Sequence, residues 1–209
     1  MAELEKLIVV VDAGHGGYDP GCVALLDPVK TTTGTDQHVT RLFEKDVNLE
    51  VARIIAAHLI NFGAVPVLTR TSDVHPSNSA RAALANRVGA DLYLAIHCNA
   101  AADPKARGFE VVHAAGADRG RDFAAALAVG LTGQTRIPPR VPVIKPDNEL
   151  GRGADFRLTV LHDTRCPAAL VELGFLSNRQ DAGFLASING RRTMAVLLAE
   201  ACLKHGAGK

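Results

Sequence analysis

No charge of one sign dominates this chain. Lys plus Arg is 23 and Asp plus Glu is 22, a formal net charge of +1. There is thus no basic field to hold nucleic acid or an anionic surface, and neither is an expected partner. Apolar runs are far too short to cross a bilayer, so membrane insertion is not expected. Residues 1–12, MAELEKLIVVVD, have no basic n-region, no long apolar h-region and no small-residue cleavage site, so no secretory signal is expected in them. The mature domain of an exported protein would read the same way. Four cysteines, at 22, 98, 166 and 202, include no C-x-x-C pair, which excludes a zinc ribbon or a thioredoxin-like motif. They are too few for a disulfide scaffold and are expected as mostly buried free thiols, in keeping with a reducing compartment. No internal repeat or low-complexity linker is found.

What is present is ordinary globular composition. The 209 residues are 47% hydrophobic and 22% charged, enough for one domain over 1–209 with a real core. Leu7–Val11 is a β-branched run, the pattern of a strand buried on both faces, and it ends at Asp12. A glycine-rich segment follows, and residues 18–43 have no clear periodicity, so a long loop is expected. Val47, Val51, Ile54, Ile55, His58, Leu59 and Phe62 form a helical stripe over 46–62, with Asp46 as its expected cap. Strands are expected at 65–69, 91–97 and 108–113, and helices at 78–89, 118–130 and 189–204. Residues 133–153 read as irregular. Ala168–Glu172 reads as the last buried strand. This alternation predicts an α/β sheet with helices on both faces.

In such sheets, binding sites gather beyond the carboxyl ends of the strands. Three expected strands deliver groups there that bind metal or move protons: His15 after the first, His97 after the third and Glu172 at the last. Glu44 stands just before the first helix. Two imidazoles and one carboxylate make a catalytic zinc set with an open position, and a second carboxylate outside that set can act as general base. Taken singly, most of these have a plain structural explanation. A strand-end histidine is more often a hydrogen-bonded structural residue, and Glu44 alone is a carboxylate at a helix start. Glu172 is different, because Ala-Ala-Leu-Val precedes it and Leu-Gly-Phe-Leu follows it. A carboxylate in such surroundings must be paired, protonated or functional. GHGGYDPG is neither G-x-G-x-x-G nor a P-loop. Cys98 follows His97 in the strand and is expected to face the core if His97 faces the site. Cys22 is a weaker ligand candidate, and His113 a candidate for supporting a ligand or touching substrate.

Several motifs occur together in a telling order. VVVDAGHGGYDPG, FEKDVNLEVA, VLTRTSD, SARAALAN, LAIHCNAA and GRGADFRLTVLHDTRCPAALVELGFLSN run from about residue 7 to 204. The chain resembles the zinc-dependent N-acetylmuramoyl-L-alanine amidases of the amidase-3 type. The resemblance implies that His15, Glu44 and His97 bind one zinc ion and that Glu172 is the catalytic carboxylate. It also implies a twisted, mostly parallel sheet of about six strands in a single α/β domain. The implied reaction is hydrolysis, by zinc-activated water, of the amide joining N-acetylmuramic acid to L-alanine in peptidoglycan, with Glu172 as base and then acid. Arg70, Arg81 and Asn99 match family positions without an assigned role, although Arg81 is expected to support the site by hydrogen bonding and Asp12 to orient a ligand.

Some relatives carry a helix that plugs the active site. Pro138, Pro139, Pro142 and Pro146 argue against one in 133–150, so an open site is expected. No separate wall-binding domain is expected, and the chain is expected to be a monomer. Its reading is endolysin-like, accumulating in the cytoplasm and acting on the wall, with the mature domain of an exported hydrolase as the competitor. The functional alternatives are a zinc amidase or peptidase on another amide, and a non-catalytic wall-binding or regulatory relative. Loss of a ligand would mark the latter, and all four residues are present.

Overall fold

Val9, Val10 and Val11 have no exposed surface, and they face opposite sides of a sheet. Val9 and Val11 join the larger apolar cluster, while Val10 joins a smaller one on the other face. A strand apolar on both faces belongs at the centre of a covered sheet, and each valine so buried contributes roughly 1.5–3 kcal/mol. The computed structural model describes residues 6–26 and 40–208 and places this strand, β1 (Ile8–Ala13), inside a six-stranded sheet. Its other strands are β4 (Val65–Leu68), β5 (Leu92–Asn99), β6 (Phe109–His113), β7 (Pro139–Pro146) and β8 (Ala168–Phe175). The order is β4-β1-β5-β8-β6-β7. All neighbours are parallel except β6 and β8, which run antiparallel. The expected α/β class and six-stranded, mostly parallel sheet are therefore what the chain adopts.

The helices cover both faces. Helices α1 (Glu44–Asn61), α3 (Asp118–Leu131) and α6 (Ile188–Gly206) supply Ile55, Leu59, Phe123, Leu127, Met194 and Leu198 to the larger cluster. Helices α2 (Asn78–Arg87) and α4 (Thr159–His162) supply Ala85, Val160 and Leu161 to the smaller one, with Tyr93 and Ala95 of β5. No described helix is long and apolar enough to cross a membrane.

Four local expectations need correction. Helix α1 begins at Glu44, and its N-cap is Phe43, not Asp46. Backbone does the capping: the amides of Glu44 and Lys45 donate to the carbonyls of Cys22 and Pro20, at 2.9 and 3.2 Å. These bonds satisfy the helix's first N–H groups and draw Glu44 against the glycine-rich loop. The expected loop at 18–43 contains an antiparallel hairpin of β2 (Val23–Leu26) and β3 (Thr40–Phe43); its central part lies outside the described residues. The expected irregular stretch contains β7. Its prolines hide the strand pattern and are tolerated because β7 is the outermost strand. The short α5 (Arg179–Ala186) was not foreseen; its first amides are capped by the Asn178 side chain. Residues 133–150 hold β7 and a 3₁₀ turn, with no helix laid across the cleft.

Candidate metal centre and its cleft

Strands β1, β5 and β8 are adjacent and parallel, so their carboxyl ends share one edge of the sheet. His15 follows β1, His97 lies near the end of β5, and Glu172 lies in β8 directly opposite His97. The pairing register of β5 with β8 shifts between His97 and Asn99, an irregularity of a kind over-represented next to active sites. His15 has φ of 60°, a left-handed conformation tolerated by histidine more readily than by bulkier residues. It costs about 1–3 kcal/mol and persists only where the surroundings enforce it.

Those surroundings are explicit. Arg70 donates to the carbonyls of Ala13, Gly14, Lys45 and Ser72 at 2.7–3.2 Å. Arg81 donates to the carbonyls of Pro76, Ala13 and His15 and forms a 2.5 Å ion pair with Asp12. Arg81 thus supports the site by hydrogen bonding. Asp12 does not orient a ligand; its oxygens are taken by Arg81, the Thr69 hydroxyl and the Tyr93 hydroxyl. The acceptor behind His15 is Asp19, which the sequence reading missed. Its Oδ2 lies 2.7 Å from His15 Nδ1, fixing the ring so that Nε2 faces inward. We expect Arg81→Ala to destabilise the fold by about 3–5 kcal/mol, because it strips a buried carboxylate of its cation. Thermal melting of the variant against wild type checks this.

His15, Glu44 and His97 converge. Their ligand atoms all lie within 4.8 Å of one another. Glu44 Oε1 is 3.0 Å from both His15 Nε2 and His97 Nδ1 and accepts the Cys98 amide at 2.9 Å. Its Oε2 accepts the Cys22 amide at 2.8 Å. Burial alone would raise the Glu44 carboxyl, but the two histidines hold it well below the usual carboxylate range. Burial works against a charged His15; Glu44 and Asp19 outweigh it and lift the imidazole to about 9. Two glycines make room. A Cβ on Gly14 would fall 2.2 Å from the His97 ring, and one on Gly21 would fall 2.5 Å from Glu44 Oε2. Two imidazole nitrogens and one carboxylate in such a cradle fit a zinc-type donor set.

Glu172 completes the arrangement. Its Oε2 is buried and has no hydrogen-bond partner, and burial pushes the carboxyl up to about 7. It lines a cleft of about 630 Å³ together with His15, Glu44, His97, Asn99 and Arg152. The remaining candidates fall away from ligation. Cys98 is buried in the larger apolar cluster, as expected. Cys22 donates its amide to Glu44 and its thiol towards the carbonyls of Cys98 and Asn99. His113 is buried beneath α3, with Nδ1 against the Ala114 carbonyl, and does not line the cleft. All four cysteines are free, two of them buried.

Fold and cleft together define an α/β protein with a metal-capable polar site at the carboxyl edge of its central strands. Residues 9–204 match the family model described as N-acetylmuramoyl-L-alanine amidase, Amidase_3, and the chain belongs to that family. It is 30% identical over 178 residues to the N-acetylmuramoyl-L-alanine amidase LytC of Bacillus subtilis, covering 85% of this chain and 31% of LytC. It is 31% identical over 185 residues to the endolysin of Bacillus phage SPP1, covering 85% of this chain and 58% of the endolysin. The chain thus spans about a third of LytC and somewhat under two thirds of the endolysin. Among solved structures, N-acetylmuramoyl-L-alanine amidase AmiC2 of Nostoc punctiforme superposes with a TM-score of 0.78 at 30% identity, covering 95% of this chain and 96% of that one.

Proposed function

We propose that this protein hydrolyses the amide between N-acetylmuramic acid and L-alanine in peptidoglycan, that it depends on zinc, and that residues 9–204 are its catalytic domain. The observation that carries this reading is the unpartnered, buried oxygen of Glu172 beside a three-residue ligand set. Native structures seldom leave a buried carboxylate oxygen unsatisfied without a functional reason.

His15, Glu44 and His97 would hold the metal, and zinc so held supplies Lewis acidity to the reacting carbonyl and water. Asp19 keeps His15 in the tautomer that presents Nε2. Glu172 takes the proton from the attacking water and passes it to the alanine nitrogen as the amide breaks. Burial disfavours the charged carboxylate and so favours its taking up that proton. The kinship with LytC and the phage endolysin supports action on the cell wall.

Purified peptidoglycan treated with zinc-loaded protein is the test, with products read by mass spectrometry. Stem peptides bearing a free alanine amine, and glycan strands without peptide, are expected. Prior chelation is expected to abolish the release, and added zinc to restore it. Cleavage at another bond, or activity indifferent to chelation, would overturn the reading.

A further inference from the structure

The turn that follows His15 is gripped from outside by residues that take no part in the ligand cluster. The Gly17 peptide is held at both ends: its amide donates to Asp73 Oδ1 at 2.7 Å, and its carbonyl accepts Lys45 Nζ at 2.9 Å. Lys45 Nζ also pairs with Asp73 Oδ2 at 2.7 Å, which closes a ring of three contacts. Gly17 stands two residues after His15, and Lys45 stands next to Glu44. Asp73 thus ties the turn behind one member of the cluster to the helix that bears another. The segment around Asp73 is itself anchored. Arg53 donates to the Thr71 carbonyl at 2.6 Å and Arg70 to the Ser72 carbonyl at 3.2 Å. Its backbone also presses on the turn: a Cβ on Gly16 would fall 2.1 Å from the Val74 carbonyl oxygen.

Such a ring does little for the stability of the whole fold. The Asp73 side chain is 53% exposed, and an ion pair with an exposed partner adds little to folding. What a grip on Gly17 sets is the backbone just upstream. His15 has φ of 60°, a conformation that lasts only while its surroundings enforce it. Arg70 and Arg81 enforce it on the β1 side, through the carbonyls of Gly14 and His15. On the other side, the turn from Gly16 to Asp19 closes on itself through mutual backbone bonds. The Asp73–Lys45 ring attaches that closed turn to the rest of the protein at 2.7–2.9 Å. The neighbouring contact is longer, His75 Nε2 standing 3.4 Å from Asp19. Lys45 transmits the grip to α1, because its amide donates to the Pro20 carbonyl and its own carbonyl accepts Arg70.

We infer that Asp73 is a positioning residue for the metal centre, acting through Gly17 and Lys45 to hold His15 and Glu44 at ligating separation before a metal arrives. The inference rests on the proposed ligand set of His15, Glu44 and His97. The test is zinc affinity, measured by competition with a chromophoric chelator, set beside the melting temperature of the metal-free protein. Asp73→Ala is expected to weaken zinc binding about tenfold, within the range for groups that orient ligands. Its metal-free melting temperature should stay close to that of wild type. Asp73→Asn keeps an acceptor for the Gly17 amide and should recover part of the loss. Lys45→Met should weaken binding as well, and adding it to Asp73→Ala should cost nothing more, because residues of one unit do not add. Hydrogen exchange at the Gly17 amide should quicken in Asp73→Ala. Unchanged zinc affinity in Asp73→Ala, or a loss matched by a fall in metal-free melting temperature, would overturn the positioning role. Fully additive losses in the double variant would overturn the ring as its means. Wild type that binds no zinc would overturn the ligand set, and this inference with it.

Discussion

Replacing Glu172 by Gln is expected to lower peptide release by about 10²–10⁴-fold while the protein keeps a full equivalent of zinc. Glutamine preserves the shape of the side chain and removes its ability to take a proton. On the proposed reading His15, Glu44 and His97 hold the metal, and their ligand atoms converge without Glu172, so the metal should stay. The loss should fall on kcat with KM little changed, the pattern for an interaction made only during the chemical step. Elemental analysis and mass spectrometry of the released peptides read the two quantities separately. A variant without zinc would make Glu172 a ligand, and one with full turnover would assign the proton transfer elsewhere. Stability offers an independent reading. Burial lifts the Glu172 carboxyl from 4.5 to about 7 in the fold. An acid shifted upward costs nothing below its unfolded value and destabilises as pH rises through its folded value. In metal-free protein, Glu172→Gln should therefore gain in melting temperature over wild type as pH rises from about 4.5 past 7.

Much of this site was legible because it is made of strand ends. A valine run apolar on both faces can only be central, and central parallel strands deliver their last residues to one edge. His15, His97 and Glu172 followed from that rule before any family pattern was considered. Glu44 did not. Its role depends on backbone capping by Cys22 and Pro20, a tertiary contact with no sequence periodicity; its place before the first helix made it a candidate, and only the resemblance raised it above a plain helix-start carboxylate. Asp19 was missed for a related reason. It sits four residues after His15 in a turn closed by mutual Gly16–Asp19 backbone bonds, and a turn has no face to read. Strand β7 was missed because prolines erase an edge strand's pattern. Asp12 was misassigned because chain proximity to His15 suggested contact, whereas its strand position turns it to Arg81, Thr69 and Tyr93.

Glu44→Gln is expected to weaken zinc binding by more than the roughly 10–100-fold typical of losing a group that only supports a ligand, and to change how that binding depends on pH. In metal-free wild type, burial opposes the His15 cation, but Glu44 and Asp19 raise the imidazole to about 9. A proton then occupies His15 at pH 7.5 and must leave when metal arrives. Calorimetric titration with zinc in buffers of different ionisation enthalpy should find about one proton released per metal from this residue. A histidine raised above 6.5 adds stability that is fully present below 6.5 and lost as pH rises through about 9. The metal-free protein should accordingly weaken over that interval, while zinc should protect it most at the alkaline end. Gln at 44 removes the larger of the two acceptors holding His15 up. The proton release and the alkaline loss of stability should both shrink, and the residual zinc affinity should vary with pH closer to the ordinary histidine range. If the variant kept wild-type affinity, Glu44 would be a bystander between two histidines. If it lost affinity but kept the proton release near pH 9, Asp19 at 2.7 Å would be the group holding His15 charged, and the two carboxylates would exchange roles.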